Sequence, residues 1–183
     1  PRSWLLSHPE AVLAPPQQAA LQAAVERLER GEPLPYVLGE WEFFGLPFLV
    51  NSQVLIPRPE TELLVERALT WLRAHPGRRR LLDVGTGSGC IAIALAVNIP
   101  DLQALATDIS PAALEVARRN ASRMGLEDRI EFVQCDLLPG CAATSIAGSH
   151  PSFTPEREPF DLIVANLPYI PSRVLRKLPV YRR

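Results

Sequence analysis

The chain has 183 residues, 47% of them apolar, enough for one full domain or a small domain beside a larger one. A formal net charge of −1 lacks the basic excess of a protein that coats nucleic acid, though brief contact with RNA or a ribosomal partner stays open. No apolar run reaches bilayer length and no secretory signal is present, so a cytoplasmic protein is expected; the first residue is Pro1 rather than methionine, which leaves room for an upstream segment.

From the N-terminus, "QQAALQAAVERLERG" reads as a helix with Leu21, Ala24, Val25 and Leu28 on one face and Gly31 as its stop. "WEFFGLPFLV" and "NSQVLIP" carry aromatic and β-branched residues broken by Gly45 and Pro47 that suggest a hairpin-like pair. "RPETELLVERALTWLRAHPG" is a second helix, with Pro59 at its start, Glu60 and Glu62 in its first turn and Arg73 near its end. That charge order suits the helix dipole.

From Arg80 the period changes. "LLDVG" reads as a strand, followed by a glycine-rich turn and the helix "CIAIALAVN". "QALATD" is a second strand. Ser110 is an N-cap and Pro111 a first helical residue for "AALEVARRNASRM". "IEFVQCD" and "FDLIVAN" are a third and fourth strand, separated by a Pro-, Ser- and Gly-rich stretch expected to be a long surface loop. Alternating strands and helices imply α/β architecture with a parallel, doubly wound Rossmann-type sheet. Cys90, Cys135 and Cys141 form no C-x-x-C, and His8, His75 and His150 have no metal-ligand spacing, so all six read as ordinary core or surface residues and no metal is expected. "GRRR" and the terminal "RKLPVYRR" read as solvated charge runs, with RNA contact as the alternative.

"DVGTGSGC" places Gly85, Thr86, Gly87, Ser88 and Gly89 between a strand and a helix. Asp108 ends the next strand, about twenty residues on, where an acid can accept hydrogen bonds from ribose hydroxyls. Together these point to an adenosine-bearing cofactor over a purely structural turn. The spacing is G-x-G-x-G, not the dinucleotide G-x-G-x-x-G, which favours S-adenosylmethionine over a nicotinamide dinucleotide. Asp136 ends the third strand and can bond an adenine amino group with Leu137 against the ring, or be a solvated loop acid.

"ANLPYIP" ends the fourth strand. By itself it is an aromatic-anchored turn as readily as a site. If that strand pairs with the first, about 5 Å away, Asn166 opens onto the same crevice as the glycine turn.

"VLIPRPETELLVE", "DVGTGSGCIAIALA", "TDIS" and "NLPYIP" together resemble the protein-glutamine methyltransferases that modify peptide chain release factors, over nearly the whole chain. "GEPLPYVLGEWEFFGL" resembles that family's connector between a helical N-terminal domain and the methyltransferase domain. The resemblance implies part of a helical substrate-recognition domain at 1–38, a hairpin connector at 39–58 and an S-adenosylmethionine-binding methyltransferase domain at 59–183. The sheet of that class I methyltransferase fold continues with three more strands, so the fold is expected to be incomplete at its C-terminal end. The implied reaction is methyl transfer from S-adenosylmethionine to the side-chain amide of the glutamine in the Gly-Gly-Gln loop of class 1 release factors, with no membrane and no stable nucleic-acid partner.

The resemblance assigns cofactor contacts to Gly85–Gly89, Asp108, Asp136, Leu137 and Asn166, and catalysis to Asn166, Leu167, Pro168 and Tyr169. An amide nitrogen is a poor nucleophile. Acceptors for its two N–H groups, the Asn166 side-chain oxygen and the Leu167 carbonyl, would aim it and stabilise positive charge developing on it; Tyr169 would pack on the planar amide. Orientation of this kind is worth up to about 7–11 kcal/mol. Leu167 stands where the family has the first proline of Asn-Pro-Pro-Tyr, so the ring that fixes φ is absent there, while Pro168 still favours an extended Leu167. "NLPY" also resembles the element of methyltransferases acting on adenine amino groups, which keeps RNA or DNA as the alternative substrate; a truncated, non-catalytic binding remnant is the alternative from another class. Arg58 and Glu60 either line the substrate entrance or serve the helix end.

Overall fold

The computed structural model describes residues 2–138, 144 and 145, and 159–167. The helical N-terminal part comprises α1 (Arg2–Ser7), α2 (Pro15–Glu29) and α3 (Leu34–Leu38). Arg27 ties α2 to α3 by pairing with Glu32 at 2.6 Å and donating to the carbonyls of Tyr36 and Val37. Leu21, Val25 and Leu28 do share a face of α2, but they are exposed.

The hairpin is tighter than expected. Both strands, β1 (Glu40–Phe43) and β2 (Leu46–Leu49), lie within "EWEFFGLPFL", and "NSQVLIP" is not a strand. Phe44 and Gly45, at φ 53° and 71°, make a two-residue turn whose left-handed backbone matches strand twist. Pro47 is tolerated because each strand of a two-stranded ribbon is an edge.

α4 (Pro59–Ala74) follows, with Pro59 at its first position. Then come β3 (Arg80–Val84), α5 (Cys90–Asn98), β4 (Gln103–Asp108), α6 (Pro111–Arg123), β5 (Ile130–Gln134), β6 (Thr144–Ser145) and β7 (Leu162–Ala165). The Ser110 hydroxyl caps α6 by accepting from the Ala113 N–H at 3.2 Å. Sheet order is β6-β5-β4-β3-β7, parallel except for β6. β6 was not expected: two residues of the supposed surface loop pair antiparallel with Val133 and Gln134, which covers part of an otherwise open strand edge. The rest of that loop, with Cys141 and His150, lies outside the described residues, as does "RKLPVYRR".

Strand alternation sorts the core into two faces. Leu81, Ala104, Ala106, Phe132 and Val164 join α4, α5 and α6 in the main core, while Leu82, Val84, Leu105 and Val133 form a second cluster with Phe160. Helix α5 is buried from Cys90 through Ala96, as its nearly unbroken apolar sequence demands. His75 stacks on Trp71 and bonds its carbonyl.

The "GRRR" run is not merely solvated. Arg79 pairs with Asp101 at 2.6 Å and Arg78 with Asp161 at 3.0 Å. Asp161 also accepts the backbone N–H groups of Arg79 and Arg80 at 2.8 and 3.0 Å. These bonds hold its carboxyl below the usual range, the Arg80 amide foremost. Asp161 thereby fastens the start of β7 to the start of β3, and the register that follows sets Ala165 opposite Val84. The last residues of both strands emerge together.

Candidate active site

β3 delivers its chain into a turn where Gly85 and Gly87 take φ of 70° and 58°, a region that favours glycine. At Gly85 a Cβ would stand 2.5 Å from Leu167 Cδ2; at Gly87 it would meet nothing within 4 Å. One side of the turn is therefore packed against the end of β7, and the next glycine faces open space. Asp108 fixes the turn: its Oδ2 accepts from the Gly87 N–H at 2.9 Å and its Oδ1 from the Ser110 N–H at 2.9 Å. A carboxylate has about four acceptor sites, so Asp108 retains capacity for ligand hydroxyls, and it is only partly buried.

Thr86 and Ser88 point inward. The Thr86 hydroxyl donates to Asp83 Oδ2 at 2.6 Å, and both side chains are buried. The Thr86 hydroxyl is thereby engaged, while the Ser88 hydroxyl has no partner in hydrogen-bonding geometry among the described residues. The Ser88 carbonyl accepts from Asn120 Nδ2 at 2.9 Å; the same carboxamide exchanges bonds with the Leu49 N–H (2.7 Å) and carbonyl (3.1 Å). Asn120, fully buried on α6, thus locks the hairpin to the glycine turn.

Asp83 is fully buried beneath the turn. Burial pushes its carboxyl up to about 6, against the pull of the Thr86 hydroxyl and the Ala92 amide, with the Asp108 charge adding to the rise. Its Oδ1 has no partner in hydrogen-bonding geometry among the described residues. Buried acceptors of this kind are ordinarily satisfied by water or a ligand donor. Burial also pushes the neighbouring Cys90 thiol up to about 12, which leaves it inert as a nucleophile.

Asp136 and Leu137 follow β5 and are exposed. The Leu138 N–H bonds the Asp136 carbonyl at 2.9 Å across Leu137, whose φ is 63°. Such a three-residue turn is uncommon for a side-chain-bearing residue, and here it presents an apolar side chain 52% exposed. The Thr107 hydroxyl holds the Leu137 carbonyl at 3.1 Å, so this loop is anchored to the strand that carries Asp108. Ile109, beside Asp108, is likewise exposed.

Asn166 and Leu167 leave the carboxyl end of β7 and are exposed. Asn166 Nδ2 donates to the Thr61 hydroxyl at 3.0 Å. Pro168 and Tyr169 lie outside the described residues. In "IPRPETE" the contacts are made by Thr61, which the sequence reading passed over, and by Glu62, which it read only as an acid at the helix start: Thr61 holds Asn166, and Glu62 accepts the Phe44 N–H of the hairpin turn at 2.8 Å. Arg58 is the N-cap residue of α4, without a side-chain cap bond, and Glu60 sits exposed in its first turn. Thr61, Glu62, Asp83 and Asn120 carried no sequence signal of their own beyond lying in or near a motif.

An open glycine turn, a strand-end carboxylate with spare acceptor sites, an unsatisfied buried acceptor and two exposed apolar side chains fit an adenosine-bearing ligand. Comparison with known proteins agrees. The methyltransferase domain family model matches residues 77–180. The chain belongs to that family. Within the methyltransferase domain so matched lie the glycine turn, Asp108, Asp136, Leu137, Asn166 and Leu167. The PrmC N-terminal domain model matches residues 1–39. A release factor glutamine methyltransferase of Chlorobaculum tepidum is 44% identical over 170 residues, covering 91% of this chain and 54% of its own. One from Koribacter versatilis is 44% identical over 169 residues, covering 92% and 55%. The resemblance read from the sequence is thus borne out, and the chain spans about half the length of the curated relatives it matches. Among solved structures, human methyltransferase 10 domain containing protein aligns at 25% identity with a TM-score of 0.50, covering 70% of this chain and 56% of its own. The class I methyltransferase fold expected from the sequence holds: a parallel sheet flanked by helices, with β7 its last strand among the described residues.

Proposed function

We propose that this chain carries the catalytic centre of an S-adenosylmethionine-dependent methyltransferase acting on the side-chain amide of the glutamine in the Gly-Gly-Gln loop of class 1 release factors. The observation that supports this most is the β3–β7 pairing, which sets Asn166 and Leu167 beside the glycine turn in a chain 44% identical to proteins of that name. Residues 1–38 then form part of a substrate-recognition domain, 39–58 a connector and 59–183 the methyltransferase part. A translation-factor substrate implies a cytoplasmic location; no described helix is long and apolar enough to cross a membrane.

Backbone groups of Gly85–Gly89 would hold the cofactor, Asp108 its ribose hydroxyls, and Asp136 and Leu137 its adenine, with Asn166 beside its reactive end. The cofactor supplies an electrophilic methyl group on a sulfonium. The chain's own contribution is orientation and charge stabilisation. The Asn166 Oδ1 and the Leu167 carbonyl accept the two N–H groups of the substrate amide and turn its nitrogen toward the methyl carbon. As the carbon–nitrogen bond forms and the carbon–sulfur bond breaks, positive charge grows on nitrogen; both acceptors stabilise it until one proton is released to water. On this reading Tyr169, outside the described residues, would pack on the planar amide, as the family resemblance implies. No strong base is required because the proton becomes acidic only as the bond forms.

Calorimetry with S-adenosylmethionine and its demethylated product, followed by methyl transfer to a release factor and, separately, to ribosomal RNA, tests the reading. Binding of both nucleosides and label on the release-factor glutamine are expected. Label on RNA adenine instead would replace the substrate assignment, and a folded chain that binds neither nucleoside would be a non-catalytic remnant.

A further inference from the structure

Leucine is a costly residue for a left-handed backbone. Its Cβ crowds the following carbonyl there, and glycine serves such turns without that strain. Leu137 nevertheless sits at φ 63° and is 52% exposed, with the Leu138 N–H closing the turn onto the Asp136 carbonyl at 2.9 Å. A bulky side chain left half in solvent offsets little of the strain by packing. Backbone of this kind persists where its surroundings over-determine it, and it gathers at ligand-binding positions.

Thr107 supplies the hold. It lies on β4 and is fully buried. Its hydroxyl is 3.1 Å from the Leu137 carbonyl and 3.5 Å from the Asp83 carbonyl. A carbonyl oxygen only accepts, so the hydroxyl is the donor in either contact, and the shorter one goes to Leu137. The Cys135 thiol, 3.9 Å from the same Leu137 carbonyl, is a second and weaker donor. The Thr107 carbonyl in turn accepts the Thr86 N–H at 2.8 Å. Thr107 therefore bonds the glycine turn through its main chain and the Leu137 turn through its side chain, and Asp108 follows it directly.

We propose that Thr107 is a positioning residue whose hydroxyl keeps Leu137 in its left-handed turn, so that the exposed leucine side chain is presented to the adenine ring of the cofactor. This deepens the function proposed above and rests on it for the identity of the ring. Valine at position 107 keeps the shape and removes the hydroxyl. Serine keeps the hydroxyl and removes a methyl. If Thr107 acts only by packing, valine is the milder change; if it acts by holding Leu137, serine is.

The test reads the turn and the ligand separately, on the whole chain. A left-handed residue brings its own amide and α protons closer together than helical or extended backbone does. In protein labelled with ¹⁵N-leucine, the Leu137 amide, identified by its disappearance in Leu137→Ala, should give a strong intraresidue amide–α cross-peak in wild type and in Thr107→Ser. In Thr107→Val that cross-peak should weaken to the strength shown by the helical leucines of α4. By calorimetry, affinity for the demethylated product should fall about fivefold in Thr107→Val, the size of one hydrogen bond, and stay near wild type in Thr107→Ser. Leu137→Gly accepts the turn without strain but has no side chain to present. It should weaken the same binding, and Thr107→Val added to it should cost no further affinity. A weak Leu137 cross-peak in wild type, an unaltered one in Thr107→Val, or additive losses in the double variant would overturn the proposal, and the first of these needs no variant to fold. A wild-type chain that binds neither S-adenosylmethionine nor its product would sink the functional reading, and with it only the identity of the ring, because the cross-peaks report the hold on Leu137 without ligand.

Discussion

Leu167 Cδ2 occupies the space 2.5 Å from where a Cβ on Gly85 would stand. The strand end proposed to offer the acceptors and the turn proposed to hold the cofactor are thus packed side chain against backbone. Gly85→Ala must strain a residue at φ 70° and displace Leu167 at once, and should cost about 1–3 kcal/mol. Leu167→Ala in the same chain should recover the steric share and leave the backbone share. A urea-unfolding double-mutant cycle measures the difference; simple additivity would show that the two residues do not press on each other.

Asn120→Ala removes three hydrogen bonds at a fully buried position and strands the Leu49 N–H and carbonyl and the Ser88 carbonyl. A loss of about 2–4 kcal/mol is expected. The hairpin and the glycine turn should loosen together, seen as faster amide exchange at Leu49 and at Gly87. Exchange confined to one of them would mean the carboxamide does not couple the two.

Asp83 gives a pH signature. Its native carboxyl titrates at about 6 against an ordinary 3.8, so between those values the folded state binds more protons than the unfolded one. Its contribution therefore favours folding in acid and is lost as pH rises through that window, up to about 3 kcal/mol. Asp83→Asn cannot ionise and should lack this slope. Urea unfolding from pH 4 to 7 should show wild type falling relative to the variant up to pH 6 and running parallel above it; parallel curves throughout would place the charge elsewhere.

Asp108→Ala frees the Gly87 and Ser110 N–H groups as well as removing the proposed ribose acceptor. Affinity for S-adenosylmethionine should drop by at least about tenfold, the value of one charge-assisted bond. Calorimetry that finds equal affinity would exclude Asp108 from the cofactor site.

Asn166→Ala should lower methyl transfer about 10²–10³-fold, as for loss of one group that stabilises developing charge, with cofactor affinity largely retained. Unchanged turnover in a radiolabel assay would remove Asn166 from catalysis.

The sequence by itself determined the longer elements and their order, though not the short α1, α3 and β6. The apolar runs 90–98 and 103–108, the Ser110–Pro111 cap and the glycine spacing are local features, and local physics decides them: helix period, backbone φ and capping. The hairpin was misplaced because "NSQVLIP" has strand composition, while the deciding signal, a left-handed pair at Phe44 and Gly45, is a property of the backbone. Only the tertiary structure decided which groups meet: Asp161 aligning β7 on β3, Asn120 joining hairpin to turn, and Thr61 reaching Asn166. These pairs lie far apart along the chain, and a hydrogen bond between distant residues leaves no periodicity in either segment. It exists because the fold has already spent the entropy of bringing them together, and no composition or spacing records that.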